Sequence, residues 1–160
     1  MKTSNRLICF VLLITSLILF NTGCSKESSN NPNSISLTVG SKTLQSTRIS
    51  GASSNTELAL DGYPVSQGDT SLVHIAMLTS IKTGQPDSFQ LSGVWYSMPN
   101  GVTYSGEAIH GGHGILTVTS RDSTARRISG TFSGVFYNTT TGNDSVTIIN
   151  GRFSSGYTTF

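Results

Sequence analysis

Two cysteines, four prolines, one tryptophan and a charged fraction of only 11% put several protein classes out of reach. Both cysteines, Cys9 and Cys24, fall in the first 24 residues, so the remainder of the chain has no thiol to form a disulfide or serve as a nucleophile. Basic residues form no run: only Arg126 and Arg127 are adjacent. Nucleic-acid binding needs a dense set of phosphate-neutralising cations, and no nucleic-acid partner is expected. The longest apolar stretch, Leu7 to Phe20, has fourteen residues, short of the roughly twenty that span a bilayer as a helix. There is no Gly-x-Ser-x-Gly elbow for a serine nucleophile, and no helical periodicity after residue 34.

What the first residues do contain is an export signal. Lys2 and Arg6 are followed by the apolar stretch and then by the small residues Thr22 and Gly23, the arrangement of a cleaved secretory signal. Cys24 comes directly after. Asn21-Thr22-Gly23-Cys24 resembles the lipobox of bacterial lipoproteins, although leucine is usual at the position of Asn21. That resemblance implies cleavage before Cys24, and fatty acylation of its thiol with palmitate-type chains. Several acyl chains, each contributing about 0.8 kcal/mol per buried methylene, make a stable membrane anchor. Ser25-Lys26-Glu27 resembles the signal that sends some Gram-negative lipoproteins to the cell surface, so the expected location is the outer membrane, facing outward.

Residues 1–23 then form the signal peptide and residues 24–34 a tether rich in Ser and Asn, too polar to order itself. Residues 35–160 form a single domain. Loss of Lys2 and Arg6 lowers the ten basic residues to eight against eight acids, so the processed chain is formally neutral. Within it apolar residues recur at period two. Ile35-Leu37-Val39 ends at Gly40-Ser41, and Lys42 to Ile49 reads as one polar edge strand. Leu72 to Leu78 is apolar on both faces apart from His74 and suits a central strand. The clearest alternation is Ile128-Gly130-Phe132-Gly134-Phe136 against Ser129-Thr131-Ser133, and Asn150-Gly151 suggests a bulge in the strand that follows. The expectation is an all-β fold, an antiparallel β-sandwich of eight or nine strands, with a closed lipocalin-like barrel as the alternative.

Three C-terminal stretches, Gly114-Ile115-Leu116-Thr117-Val118-Thr119, Ile128-Ser129-Gly130-Thr131-Phe132-Ser133 and Val146-Thr147-Ile148-Ile149-Asn150-Gly151-Arg152-Phe153, resemble a family of uncharacterised all-β bacterial lipoproteins from Gram-negative bacteria. Members often carry a tryptophan soon after the first hairpin turn, where this chain has Lys42-Thr43-Leu44. The resemblance implies a β domain on a lipid anchor and brings no catalytic residues.

Three groups of side chains carry the remaining chemistry. Trp95 and Tyr96, with Tyr104 across an expected hairpin, offer an aromatic platform on which a sugar ring or an exposed peptide could stack. Because neighbouring strand residues point to opposite faces, only one of Trp95 and Tyr96 belongs to the core. Glu107, His110 and His113 supply carboxylate and imidazole ligands of the type zinc accepts, in a loop made flexible by Gly111 and Gly112. Glu57, Asp61, Asp69 and Glu107 are the acids a glycoside hydrolase could use, yet each lies beside a turn signal where acids are common. His74 is expected at the core or its rim with one hydrogen bond. The expected protein is therefore a non-enzymatic lipoprotein, without a cofactor, that binds a glycan or protein partner or forms part of an envelope complex. A glycan hydrolase and a metal-binding lipoprotein are the alternatives.

Overall fold

The structure is a computed structural model that describes residues 33–63, 70–89 and 92–160. The signal peptide, Cys24, Asp69 and all of the tether except Asn33 and Ser34 lie outside the described residues. Alternation becomes strand wherever it was legible. The first hairpin joins β1 (Ser34–Val39) to β2 (Lys42–Ser46) through Gly40, whose φ of 58° suits a glycine turn. Ile35 and Leu37 point inward and are buried. After Thr47 come β3 (Arg48–Ser53), β4 (Glu57–Tyr63), β5 (Leu72–Leu78), β6 (Pro86–Asp87) and β7 (Ser92–Ser97). Then follow β8 (Thr103–Ser105), a 3-10 turn (Ala108–His110), β9 (His113–Asp122), β10 (Arg127–Asn138), β11 (Ser145–Gly156) and β12 (Thr158–Thr159). Among the described residues no helix is long and apolar enough to cross a membrane.

All twelve strands belong to one sheet, with the order β12-β3-β4-β5-β7-β8-β10-β11-β1-β2 and with β9 held between β10 and β6. Every pairing is antiparallel except β12 with β3, which is parallel. The sheet is open, and this corrects the closed-barrel alternative. β2 and β3 are separated by Thr47 alone, yet β2 ends the order on one side and β3 stands next to the last strand on the other, so the sheet must roll up until its two margins are neighbours. No ladder joins them; Ser46 Oγ instead donates to the carbonyls of Arg48 and Tyr63. The expected single strand from Lys42 to Ile49 is thus two strands, and the total exceeds eight or nine because β6, β8 and β12 are only two or three residues long.

Rolling the sheet brings its two leaves face to face, as in a sandwich. Gly62 of β4 lies under Ile35 of β1, where a Cβ would come within 2.8 Å of Ile35 Cδ1. Between the leaves lie Leu58 and Leu60 of β4, Val73, Ile75 and Met77 of β5, and Ile128, Phe132 and Phe136 of β10, all buried. β5 is central, paired with β4 and β7, as its apolar sequence suggests. The Asn150-Gly151 irregularity is a bulge: the β10–β11 register shifts between Phe132 and Gly134, and Asn150 has φ 54°.

One feature of β10 positions the candidate site. Arg127 to Val135 pair with β9, whereas Tyr137 and Asn138 pair with β8. β8 and β9 therefore lie end to end along the same side of β10, and only Phe136 is left between them. The seven residues 106–112 leave the sheet at this branch as a closed excursion.

Candidate functional site

Cross-strand partners share a face, and one row of them crosses the outer surface of four strands. Asp61 is opposite His74, His74 opposite Trp95, and Trp95 opposite Ser105. Tyr137 continues the row on β10. The inner neighbours Leu60, Ile75, Val94 and Tyr104 are core residues, which fixes the row as outward-facing. Trp95 is half-buried rather than open because its indole lies back along β7 over Gly93. A Cβ on Gly93 would stand 2.3 Å from Trp95 Cη2 and 3.0 Å from Glu107 Oε1, so only glycine leaves room for both groups. The indole and the Glu107 carboxylate thus converge over one point of the backbone.

Glu107 is brought there by the excursion. Gly106 N donates to Val94 O at 2.9 Å and Glu107 N donates to Ser105 Oγ at 3.1 Å. The 3-10 turn closes through His110 N to Glu107 O (3.1 Å), Gly111 N to Ala108 O (3.0 Å) and Gly112 N to Glu107 O (3.0 Å). At its neck the backbones of Gly106 and Gly112 touch: a Cβ on Gly112 would sit 2.4 Å from Gly106 C. The sequence suggests that Gly111 and Gly112 make this loop flexible. Here Gly106 and Gly112 permit a tight backbone approach, and the loop is hydrogen-bonded on itself.

The ionisable groups come in pairs on either side of the indole. His74 Nδ1 and Asp61 Oδ1 are 2.6 Å apart, and the His74 ring lies 5.0 Å from that of Trp95 at 54°. Beyond the indole, His110 Nε2 is 4.0 Å from Glu107 Oε2, which also accepts a long hydrogen bond of 3.4 Å from Ser105 Oγ. Side-chain exposures of 33% for His74, 34% for Asp61, 36% for His110 and 29% for Glu107 leave all four within reach of a ligand. The arrangement is an aromatic face bracketed by two carboxylate–imidazole pairs.

The platform expected of Trp95, Tyr96 and Tyr104 is corrected by register. Tyr96 pairs with Tyr104, and both point inward with exposures of 4% and 5%; Trp95 alone is outside. The Tyr104 hydroxyl donates to Asp144 Oδ2 at 2.6 Å. That hydrogen bond, then burial and the nearby carboxylate charge, raise the Tyr104 hydroxyl above its ordinary pKa of 10.0. Of the expected metal ligands, Glu107 and His110 approach one another but His113 does not join them: it opens β9, exposed, opposite Val135. Among the described residues no three His, Cys, Asp or Glu side chains are grouped so as to hold a metal ion. Asp61, weighed as an acid beside a turn, is instead inside β4 as the partner of His74. Glu57 opens β4 four residues before Asp61, on the same outer face.

No family model, no curated protein and no solved structure matches the chain.

Proposed function

We propose that the chain is a non-enzymatic binding lipoprotein, moored to the outer membrane by acyl chains on Cys24, that captures saccharide rings on Trp95. The observation that carries the binding half is the indole seated on Gly93 between the Asp61–His74 and Glu107–His110 pairs. An indole face takes the C–H face of a sugar ring, and carboxylates at its edges accept charge-assisted hydrogen bonds from ring hydroxyls. The site is a shallow surface on a rigid sheet, which suits a ring at the end or on the side of a larger glycan. The anchoring half rests on the Thr22-Gly23-Cys24 motif after a short apolar segment.

Trp95 is the sole tryptophan, so the intrinsic fluorescence of the protein reports on this site alone. Full-length protein in detergent, titrated with a panel of neutral and charged oligosaccharides, is expected to show a saturable change in indole emission for at least one. Trp95→Ala is expected to abolish binding in calorimetry. A panel without any response removes the saccharide reading. For the anchor, native protein is expected to enter the detergent-rich phase on phase separation, and Cys24→Ala to stay in the aqueous phase.

A further inference from the structure

We propose, building on the saccharide reading above, that the ring bound at Trp95 carries a protonated amine: the ligand class is an amino sugar with a free ammonium group. The donor and acceptor census of the row points there. Asp61 uses Oδ1 toward His74 and Glu107 uses Oε2 toward Ser105 and His110, while Glu107 Oε1 stands over Gly93, where the indole also lies. Ionised carboxylates are acceptors only. An ammonium is the complement, with three donors and no acceptor, and the face of an indole attracts cations through its quadrupole.

The charges facing the row favour the same ligand. The outward residues here are Ser50 on β3, Ala59 and Asp61 on β4, His74 and Ala76 on β5, Gly93, Trp95 and Ser97 on β7, and Thr103 and Ser105 on β8. The turn adds Glu107 and His110. None of these is Lys or Arg; Arg48, two residues along β3 from Ser50 on the same outer face, makes no ion pair with Asp61 among the described residues. Each imidazole stands beside one of the carboxylates, His74 at Asp61 and His110 at Glu107. A ligand with its own carboxylate or phosphate would meet Asp61 and Glu107, neither of which is ion-paired with a Lys or Arg among the described residues, so anionic sugars are disfavoured. Small Ala59, Ala76 and Gly93, which are mutual partners one step along the strands, leave space beside the indole for the rest of the ring.

The test uses full-length protein in detergent and two probes that differ only at nitrogen: a β-1,4-linked glucosamine tetrasaccharide and its fully N-acetylated counterpart. Both are titrated below the pKa of the free amine with Trp95 emission as the signal. The amine form is expected to bind about tenfold more tightly, through its extra cation–π and charge-assisted contacts. That advantage is expected to shrink as salt rises, because part of it is Coulombic between partly exposed groups. Glu107→Gln and Asp61→Asn are each expected to lower the advantage while leaving the melting temperature nearly unchanged. Equal or tighter binding of the acetylated form overturns the ammonium assignment and leaves the saccharide reading standing. An advantage that persists undiminished at high salt in both variants also overturns it. If neither probe perturbs the indole, and no other saccharide does, both readings fall together.

Discussion

The outer faces of the sheet on the two sides of the branch in β10 are built from the same strand chemistry, yet they differ in kind. On the β4–β5–β7–β8 side the row and its turn carry two imidazoles, an indole and two carboxylates, beside the small residues Ala59, Ala76 and Gly93. On the β9–β10–β11 side His113, Ile115, Val135 and Ile149 line a shallow groove of about 470 Å³ with Gly114, Ser133 and Thr147. Ile115 is 51% exposed and Ile149 46%. The inner faces of both sides are nevertheless alike, mainly aliphatic and aromatic core. The difference teaches that the fold constrains one face of each strand and leaves the other free: the excursion adds Glu107 and His110 to one outer face, whereas the other carries exposed Ile115 and Ile149 among Ser and Thr residues. This contrast can be broken at its shared wall or sharpened on either side.

The largest effect is expected at that wall. Phe136 is fully buried, is the residue of β10 left between β8 and β9, and meets Phe89 edge-on at 5.8 Å and 72°. Phe136→Ala removes the support of both sides and should cost about 3–5 kcal/mol in urea unfolding. A cost under about 1 kcal/mol would show that the branch is not held by its core. Next comes Gly93→Ala. A methyl group there collides with the indole and with Glu107 Oε1, so about 1–3 kcal/mol is expected for overpacking, together with a shifted indole emission. An unaltered emission spectrum would mean that the ring does not rest on Gly93.

How much of this was legible depends on whether a side chain's phase or a strand's register decided it. Phase was legible. The Ile128–Phe136 alternation gave the inner face of β10 directly, and the apolar Leu72–Leu78 run marked a central strand. Alternation alone leaves open which of Trp95 and Tyr96 is core, and the burial of Val94 and Tyr96 decides it. The break at Thr47 left a weaker trace: Leu44 and Ser46 are buried at even positions, whereas Ile49 packs on the core from an odd one. In so polar a stretch that switch of parity does not stand out. Register was not legible. The Met98–Val102 turn, closed by Met98 N to Val102 O at 2.8 Å, pairs Tyr96 with Tyr104, and one residue of slip would have put Tyr104 beside Trp95 instead. The Asp61–His74 pairing depends on a connection between β4 and β5 that is too long to set a register from its sequence.

A smaller effect should come from the bolt between the two sides. Tyr104 stands on β8 and Asp144 in the turn joining β10 to β11, so their 2.6 Å hydrogen bond ties one side to the other. Tyr104→Phe leaves a carboxylate without its donor and should cost about 1–2 kcal/mol. Because the folded pKa is raised above 10.0, the protonated hydroxyl is the stabilising form. Its contribution is complete below pH 10 and is lost as pH climbs from there through the folded value. Urea unfolding near neutrality and above pH 10 should show this loss in the wild type and not in Tyr104→Phe; parallel pH profiles would remove the bolt.

The smallest effect sharpens the contrast most. Ile115 is half exposed on the outer face of β9, opposite Ser133, and contributes little to the core. Ile115→Thr keeps a β-branched side chain on the strand, so its propensity is nearly unchanged and stability should move by no more than about 0.5 kcal/mol. Indole emission and saccharide binding should not move, since Ile115 stands on β9 opposite Ser133 of β10 and is not a member of the row at Trp95. What should fall is the tendency of the protein to self-associate or adsorb through the groove, measured by light scattering against concentration. If instead this substitution shifts Trp95 emission, the two outer faces are coupled, either through β10, which pairs with both β8 and β9, or through the excursion that links those two strands.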